Sequence, residues 1–385
     1  MINYLLAFLL ITATVVQAQT ATKPRARDAG IPFNGTPGEY NAITDVPGVL
    51  VGYKTLIEGK GKWMLGSGPI RTGVTVILPA GKTTKSYPAG YFIFNGDGEM
   101  TGIPYIHDYG TGCGPIGITN TNSVGVVRDA IGSWSHQHFA SKNPLDFAFG
   151  LPIVGETWDG VLNDINGLHV RKEHVMAALD GASSGAIQEG NVGGGTGMIC
   201  YAFKGGTGTA SRVIKIGNQT YTVGVLVQAN FGRRPDLLIA GLPVGQEITD
   251  LMPVLNEKDG SIIAIVGTDV PLVSSQLNLV AKRVTMGIAR TGTYGTNSSG
   301  DIFMAFSTQT AEQDTLTKLT TYRSVDKSSL DVVFKATVEA TEEAIINALV
   351  AAETMDGING HKVYALPHDR LQRVMKKYNR LEKKD

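Results

Sequence analysis

The sequence predicts an α/β protein, a four-layer αββα sandwich built as one compact domain. Strand-like and helix-like segments come in blocks rather than in strict alternation, which argues against a repeated βαβ unit. Several strand-like segments are continuous apolar runs, so their sheets are covered on both faces, by helices outside and a second sheet inside. No Pro-, Ser- or charge-rich linker divides the 385 residues, and a 42% hydrophobic composition supplies a sizeable core.

Residues 1–18 stand apart from this domain. Leu5 to Val16 is an almost unbroken apolar run, followed by Val16-Gln17-Ala18 and a polar stretch. That is the layout of a secretory signal peptide cut near Ala18, although the α-amine is its only positive charge. The run is about a dozen residues, shorter than the roughly 20 that span a bilayer. The expected protein is exported, periplasmic or secreted, and makes no membrane contact once the signal is removed.

The predicted strands are rich in β-branched residues: Val74 to Leu78, Ile116 to Thr119, Gly197 to Phe203, Tyr221 to Val227, Ser261 to Val266 and Ile302 to Ser307. The 48 glycines concentrate between residues 95 and 210, as expected of short strands joined by tight turns. Helical spacing is clearest from Ser274 to Arg290, where Leu277, Val280, Ala281, Val284 and Ile288 share a face. Ser274 or Ser275 is available there as cap and Gly292 as terminator. A second helix is expected over Ser329 to Glu353, burying Phe334, Val338, Ile345 and Leu349. A third is expected over about His368 to Lys383, with Leu371, Val374, Met375, Tyr378 and Leu381 as its stripe, and a shorter one from Arg171 to Leu179.

The 34 basic residues balance the 34 acidic ones, so no global field draws nucleic acid or anionic lipid. A small-molecule or peptide substrate fits better. Cys113 and Cys200 match no zinc or redox spacing and read as isolated small hydrophobes. The seven histidines form no metal motif; His136 and His138 alternate as on a strand face or as an exposed pair near a loop. No metal and no cofactor is expected. Gly190 to Gly197 (Gly-Asn-Val-Gly-Gly-Gly-Thr-Gly) is rich enough in glycine to cradle an anion, but it lacks both the Gly-Lys-Ser/Thr ending and the strand-to-helix frame of a nucleotide loop. A turn in which backbones approach closely and a catalytic loop both stay open.

Lys258-Asp259-Gly260-Ser261 before Ile262 to Val266 reads, by itself, as a turn entering a buried strand. A second reading is chemical. Gly260 has no Cβ and tolerates the strained geometry of an N-to-O acyl shift, should the Ser261 hydroxyl attack the carbonyl before it. Cleavage would leave Ser261 with a free α-amine, whose unperturbed pKa of roughly 7.7 to 8.0 lets it take the proton from its own hydroxyl. One residue would then be nucleophile and base, without a histidine.

Four segments carry a resemblance: Arg25 to Gly38 (Arg-Ala-Arg-Asp-Ala-Gly-Ile-Pro-Phe-Asn-Gly-Thr-Pro-Gly), Asn41 to Val49 (Asn-Ala-Ile-Thr-Asp-Val-Pro-Gly-Val), Glu189 to Gly197, and Asp259 to Ile262. Together they resemble the family of self-processing L-aminopeptidase/D-esterases and β-peptidyl aminopeptidases, from about Arg25 to beyond Ser307. The resemblance implies a precursor that cuts itself between Gly260 and Ser261 into an α chain, residues 19–260, and a β chain, residues 261–385. It also implies an αββα sandwich and a homo-oligomer of αβ units.

On the same resemblance Ser261 is the nucleophile and Asn230 the amide that stabilises the oxyanion. Ser299 and Asp301 stand beside the nucleophile, and Glu156 and Trp158 form the pocket for the substrate amine. Asp301 is one methylene shorter than the Glu of some relatives, which makes a path through Ser299 plausible. Trp158 replaces a Tyr of some members and removes a phenolic hydroxyl. Without the resemblance, Asn230 reads as a strand-end residue, Ser298-Ser299-Gly300 as a turn and Trp158 as a packing aromatic. The implied activity is release of N-terminal amino acids, β-amino acids favoured and α-L or D-alanyl amides and esters next, from peptides, amides or esters. An acyltransferase of the same architecture and an exported binding protein are the alternatives.

Overall fold

The computed structural model describes residues 23–83, 85–141, 143, 150–254, 260–309 and 311–382. The expected signal peptide lies outside these residues, as do Lys258 and Asp259 of the expected turn and Lys383 of the expected last helix.

Ten strands form two main sheets: β1 Leu50–Glu58, β2 Ile70–Leu78, β3 Ser86–Gly96, β4 Thr111–Cys113, β5 Ile116–Asn120, β6 Ile153–Thr157, β7 Gly206–Ile216, β8 Gln219–Asn230, β9 Ser261–Thr268 and β10 Gly300–Ser307. One sheet has the order β1-β2-β5-β6, the other β4-β3-β10-β9-β8-β7. Neighbours are antiparallel except β5 with β6 and β9 with β10. The helices are α1 Ile103–Tyr109, α2 Val124–Phe139, α3 Lys172–Asp180, α4 Val244–Glu247, α5 Ser274–Ala289, α6 Leu330–Val350 and α7 His368–Lys377.

Three apolar layers separate four structural ones, as expected of αββα. Val76, Leu78 and Val154 meet Val127, Ile131 and Trp134 of α2 and Leu179 of α3. Ile77, Ile118 and Ile153 meet Leu226, Ile263, Ile265 and Met304 between the sheets. Ile262, Ala264, Val266 and Phe303 meet Leu277, Val280 and Val284 of α5 and Ile345 and Leu349 of α6. The period of two along β9 thus sends Ile263 and Ile265 to the facing sheet and their neighbours to the helices, which is why its run is apolar throughout.

The structure corrects several expectations. Gly193–Gly197 is a 3-10 turn, and the strand expected over Gly197 to Phe203 is instead a hairpin of Ile199–Cys200 with Phe203–Lys204. Its two turn residues, Tyr201 and Ala202, have φ of 51° and 57°, a conformation that breaks a strand. The Gly-rich turn is the close-approach kind: a Cβ on Gly194 would lie 2.6 Å from the Ile118 carbonyl oxygen. His136 and His138 sit in the last turn of α2, not on a strand or loop. Helix α5 is capped by neither Ser274 nor Ser275; Gln276 reaches back to accept the Val273 N–H at 3.2 Å. On α6, Val333, Ala340 and Ala344 are buried, whereas Phe334 and Val338 are half-buried in the groove beside α5, where Arg283 stacks on Phe334. Helix α7 stops at Lys377 because Asn379 turns left-handed and the tail pairs back, Glu382 N–H to the Gly30 carbonyl. No disulfide joins Cys113 and Cys200.

Candidate active site

Ser261 is the first residue of β9, and the antiparallel register places it directly opposite Asn230, the last residue of β8. The parallel partner β10 brings Gly300 and Asp301 to the same end of the sheet. Three sequence-distant segments therefore meet because three strands end at one edge.

Gly260 enters this junction with no room for a side chain. A Cβ there would lie 1.6 Å from the Asn230 carbonyl oxygen and 2.7 Å from its amide nitrogen. The Gly260 carbonyl oxygen accepts the Ser299 hydroxyl at 2.5 Å, and Ser261 Oγ accepts the Gly300 N–H at 3.2 Å. Ser299 Oγ is also 2.6 Å from Asp301 Oδ1. Asp301 further accepts the Ile262 N–H at 3.2 Å and the Asn95 amide at 3.0 Å. Burial pushes its carboxyl above the ordinary aspartate value, against these hydrogen bonds from Ser299, Asn95 and Ile262. Its carboxylate therefore touches Ser299, Ile262 and Asn95.

Asn230 is held at both ends of its amide. Oδ1 accepts the Ile199 N–H at 2.8 Å, and Nδ2 donates to the Trp158 carbonyl at 2.9 Å. That arrangement orients the amide and leaves one N–H of Nδ2 for another acceptor. Two residues earlier on β8, Gln228 donates to the Thr119 carbonyl and to Thr157 Oγ1, at 2.9 and 2.8 Å, tying β8 to the ends of β5 and β6.

Glu156, on β6, is buried and accepts the Glu99 N–H at 3.0 Å through Oε1 and the Thr121 hydroxyl through Oε2. Burial raises its carboxyl above the ordinary value, and the Thr121 and Glu99 hydrogen bonds oppose that rise. Gly98 links Glu156 to the nucleophile's surroundings: a Cβ on it would be 3.2 Å from Glu156 Oε1 and 3.0 Å from Gly300 Cα. Trp158 is 39% exposed, and its ring lies against Gly160. Ser261, Asn230, Ser299, Asp301 and Glu156 are all buried. Among the described residues, no group of three or more His, Cys, Asp or Glu could hold a metal ion.

The site's backbone donors, from Gly300, Ile199, Ile262 and Glu99, leave no signature in residue identity. Asn95 and Thr121 could have been sought in the polar stretches Asn95-Gly96-Asp97-Gly98 and Asn120 to Ser123.

Residues 41–363 match the family model of peptidase family S58. The chain belongs to peptidase family S58. As a whole it is similar to the β-peptidyl aminopeptidase BapA of Sphingosinicella microcystinivorans, 49% identical over 94% of this chain and 95% of that protein. BapA of Sphingosinicella xenopeptidilytica is 46% identical over 95% of each. Among solved structures, the L-aminopeptidase D-Ala-esterase/amidase of Ochrobactrum anthropi, described as a variant of the Ntn-hydrolase fold, superposes with a TM-score of 0.87 and 47% identity. That match covers 93% of this chain and all of the other. The β-aminopeptidase of Burkholderia sp. superposes at 0.84 with 41% identity, over 94% of this chain and all of the other. An S58 peptidase is a hydrolase, which sets aside the exported binding protein.

Proposed function

We propose that this S58 peptidase is a serine aminopeptidase that first cuts its own backbone between Gly260 and Ser261. It then releases N-terminal residues from peptides, amides or esters through an acyl-enzyme on Ser261. The observation that carries this reading is the junction at the head of β9: one carbonyl, one hydroxyl and one polarising Ser299 converge on a single peptide bond.

Self-cleavage follows the chemistry of that bond. Ser261 Oγ attacks the Gly260 carbonyl carbon and loses its proton; the C–N bond breaks, the nitrogen gains a proton, and an ester joins Gly260 to Ser261. Negative charge develops on the Gly260 oxygen, where Ser299 already donates. Breaking the C–N bond has freed the Ser261 amine, and water then hydrolyses the ester, releasing the Gly260 carboxylate and restoring the Ser261 hydroxyl.

In the cut enzyme that amine takes the proton from Ser261 Oγ as it attacks a substrate carbonyl. Asn230 Nδ2 donates to the developing oxyanion, a role worth roughly 3 to 4 kcal/mol at such sites. The ammonium returns its proton to the leaving amine, with Asp301 supporting it through Ser299. The Glu156 carboxylate pairs with the substrate's own ammonium, and Trp158 walls that pocket. The relatives' names favour β-amino acids at the released position, with L-α- and D-alanyl amides and esters next. The protein is exported after removal of residues 1–18 and works as an oligomer of αβ units.

A mass spectrum of purified protein tests the mechanism. Two fragments meeting at Gly260/Ser261 are expected from the wild type and an intact chain from Ser261→Ala. An intact wild-type chain that still turns over β-alanyl p-nitroanilide would sink it.

A further inference from the structure

Lys204 is wholly buried, yet no carboxylate among the described residues lies within ion-pairing distance of its ammonium. Nζ instead donates to three backbone carbonyls: Met198 at 2.8 Å, Gly205 at 2.9 Å and Gly195 at 3.4 Å. Those carbonyls belong to the 3-10 turn Gly193–Gly197, the residue that follows it, and Gly205, which directly follows the Ile199–Cys200/Phe203–Lys204 hairpin. Lys204 also pairs with Ile199 across the hairpin, and its own N–H donates to the Tyr364 carbonyl at 2.7 Å. A buried lysine without a counter-ion is costly, so its hydrogen bonds must be well made.

The residue held most tightly by this clamp, Met198, immediately precedes Ile199, whose N–H orients the Asn230 amide. Were that N–H displaced, the amide would keep only its contact to the Trp158 carbonyl, and its free N–H donor would be aimed less firmly. We infer that Lys204 is a positioning residue for the reaction: its three carbonyl contacts hold Met198 and Ile199 so that the Asn230 amide presents Nδ2 toward the reacting carbonyl. Burial pushes the Lys204 ammonium down to about 7, with Lys23 lowering it further and Cys200 and Asp159 opposing. The inference rests on Asn230 being the oxyanion donor.

The test uses the full chain and β-alanyl p-nitroanilide, with wild type, Lys204→Met, Asn230→Ala and the double variant. Rates are referred to the cut form, quantified by mass spectrometry. Lys204→Met is expected to lower kcat about tenfold or more and to leave KM within about twofold, a smaller loss than removing the amide itself. In the Asn230→Ala background the same change is expected to cost less than about twofold, because residues acting as a unit are not additive. A wild-type kcat in Lys204→Met, or an equal loss in both backgrounds, overturns the inference. Where Lys204→Met does not fold, Lys204→Gln, which keeps two N–H donors, takes its place; failure of both to fold makes Lys204 structural and also overturns it. An inactive wild type, or an Asn230→Ala variant of unimpaired kcat, instead overturns the reading of the site on which the inference stands.

Discussion

Ser299 stands between two acceptors, the Gly260 carbonyl and Asp301, with one proton to give. When Asp301 is ionised the hydroxyl serves the carboxylate; when Asp301 holds a proton it donates to Ser299, whose own proton then goes to the Gly260 oxygen. Burial raises the Asp301 pKa, so the second arrangement sets in at a higher pH than it would for an ordinary aspartate. Ser299→Ala is therefore expected to slow self-cleavage by about a hundredfold, the usual scale for one lost donor to an oxyanion. A time course of intact chain on denaturing gels reads this, and cutting at the wild-type rate would remove Ser299 from the process. Glu156 gives a pH prediction. Burial first, and its acidic neighbours after, raise its pKa, so on acidification it gains its proton earlier than an ordinary glutamate. KM should rise as pH falls, starting above the ordinary range near 4.5, while Glu156→Gln should show a high KM without that dependence. A wild-type KM that is flat down to pH 4.5 contradicts the assignment.

At the scale of elements, α6 is tied to the N-terminal segment by a buried cluster. Glu343 accepts Arg27 at 2.8 and 2.9 Å, Arg212 at 2.7 Å and Asn41 at 2.6 Å. Burial alone would raise its pKa, but Arg27 and Arg212 outweigh that and hold it below the ordinary glutamate value. Glu343→Ala leaves two arginines short of a partner and is expected to cost about 3 to 5 kcal/mol in urea unfolding at pH 7. Because the folded pKa is depressed, the contribution is full above the ordinary glutamate range and fades as pH falls through the folded value, so the difference between variant and wild type should narrow in acid. An equal midpoint at pH 7 would show the cluster to be energetically neutral. The elements most legible in the sequence were the apolar strands β2, β5, β8, β9 and β10 and the amphipathic α3, α5 and α6. Strand β7 was hidden by its composition: Gly206 to Arg212 is Gly-Thr-Gly-Thr-Ala-Ser-Arg, small residues that let α6 approach, with a Cβ on Gly208 falling 2.0 Å from the Ala344 carbonyl. Gly125, Gly132 and Ser133 similarly blurred α2.

Across the whole molecule, a cut at Gly260 would divide the chain without dividing the fold. Strands β9 and β10 lie inside a sheet whose other strands, β4, β3, β8 and β7, precede the cut, and Glu343 joins residues from before it. The two fragments should co-elute as one folded unit on size exclusion and separate only in denaturant; separation in native buffer would contradict this. Local pattern, a property of neighbouring residues, was enough for the layered α/β class, the buried β9 and the suspicion that Ser261 could attack the bond before it. The resemblance named Asn230, Ser299, Asp301, Glu156 and Trp158. Only the tertiary structure decided which atoms meet: Ser299 reaches Gly260 across 39 residues, Asn230 reaches Trp158 across 72, and Glu156 takes a backbone N–H 57 residues away. Such contacts are set by strand order and register, and each of the three has on one side a backbone group that every residue carries, so no reading of side chains along the chain could have found them.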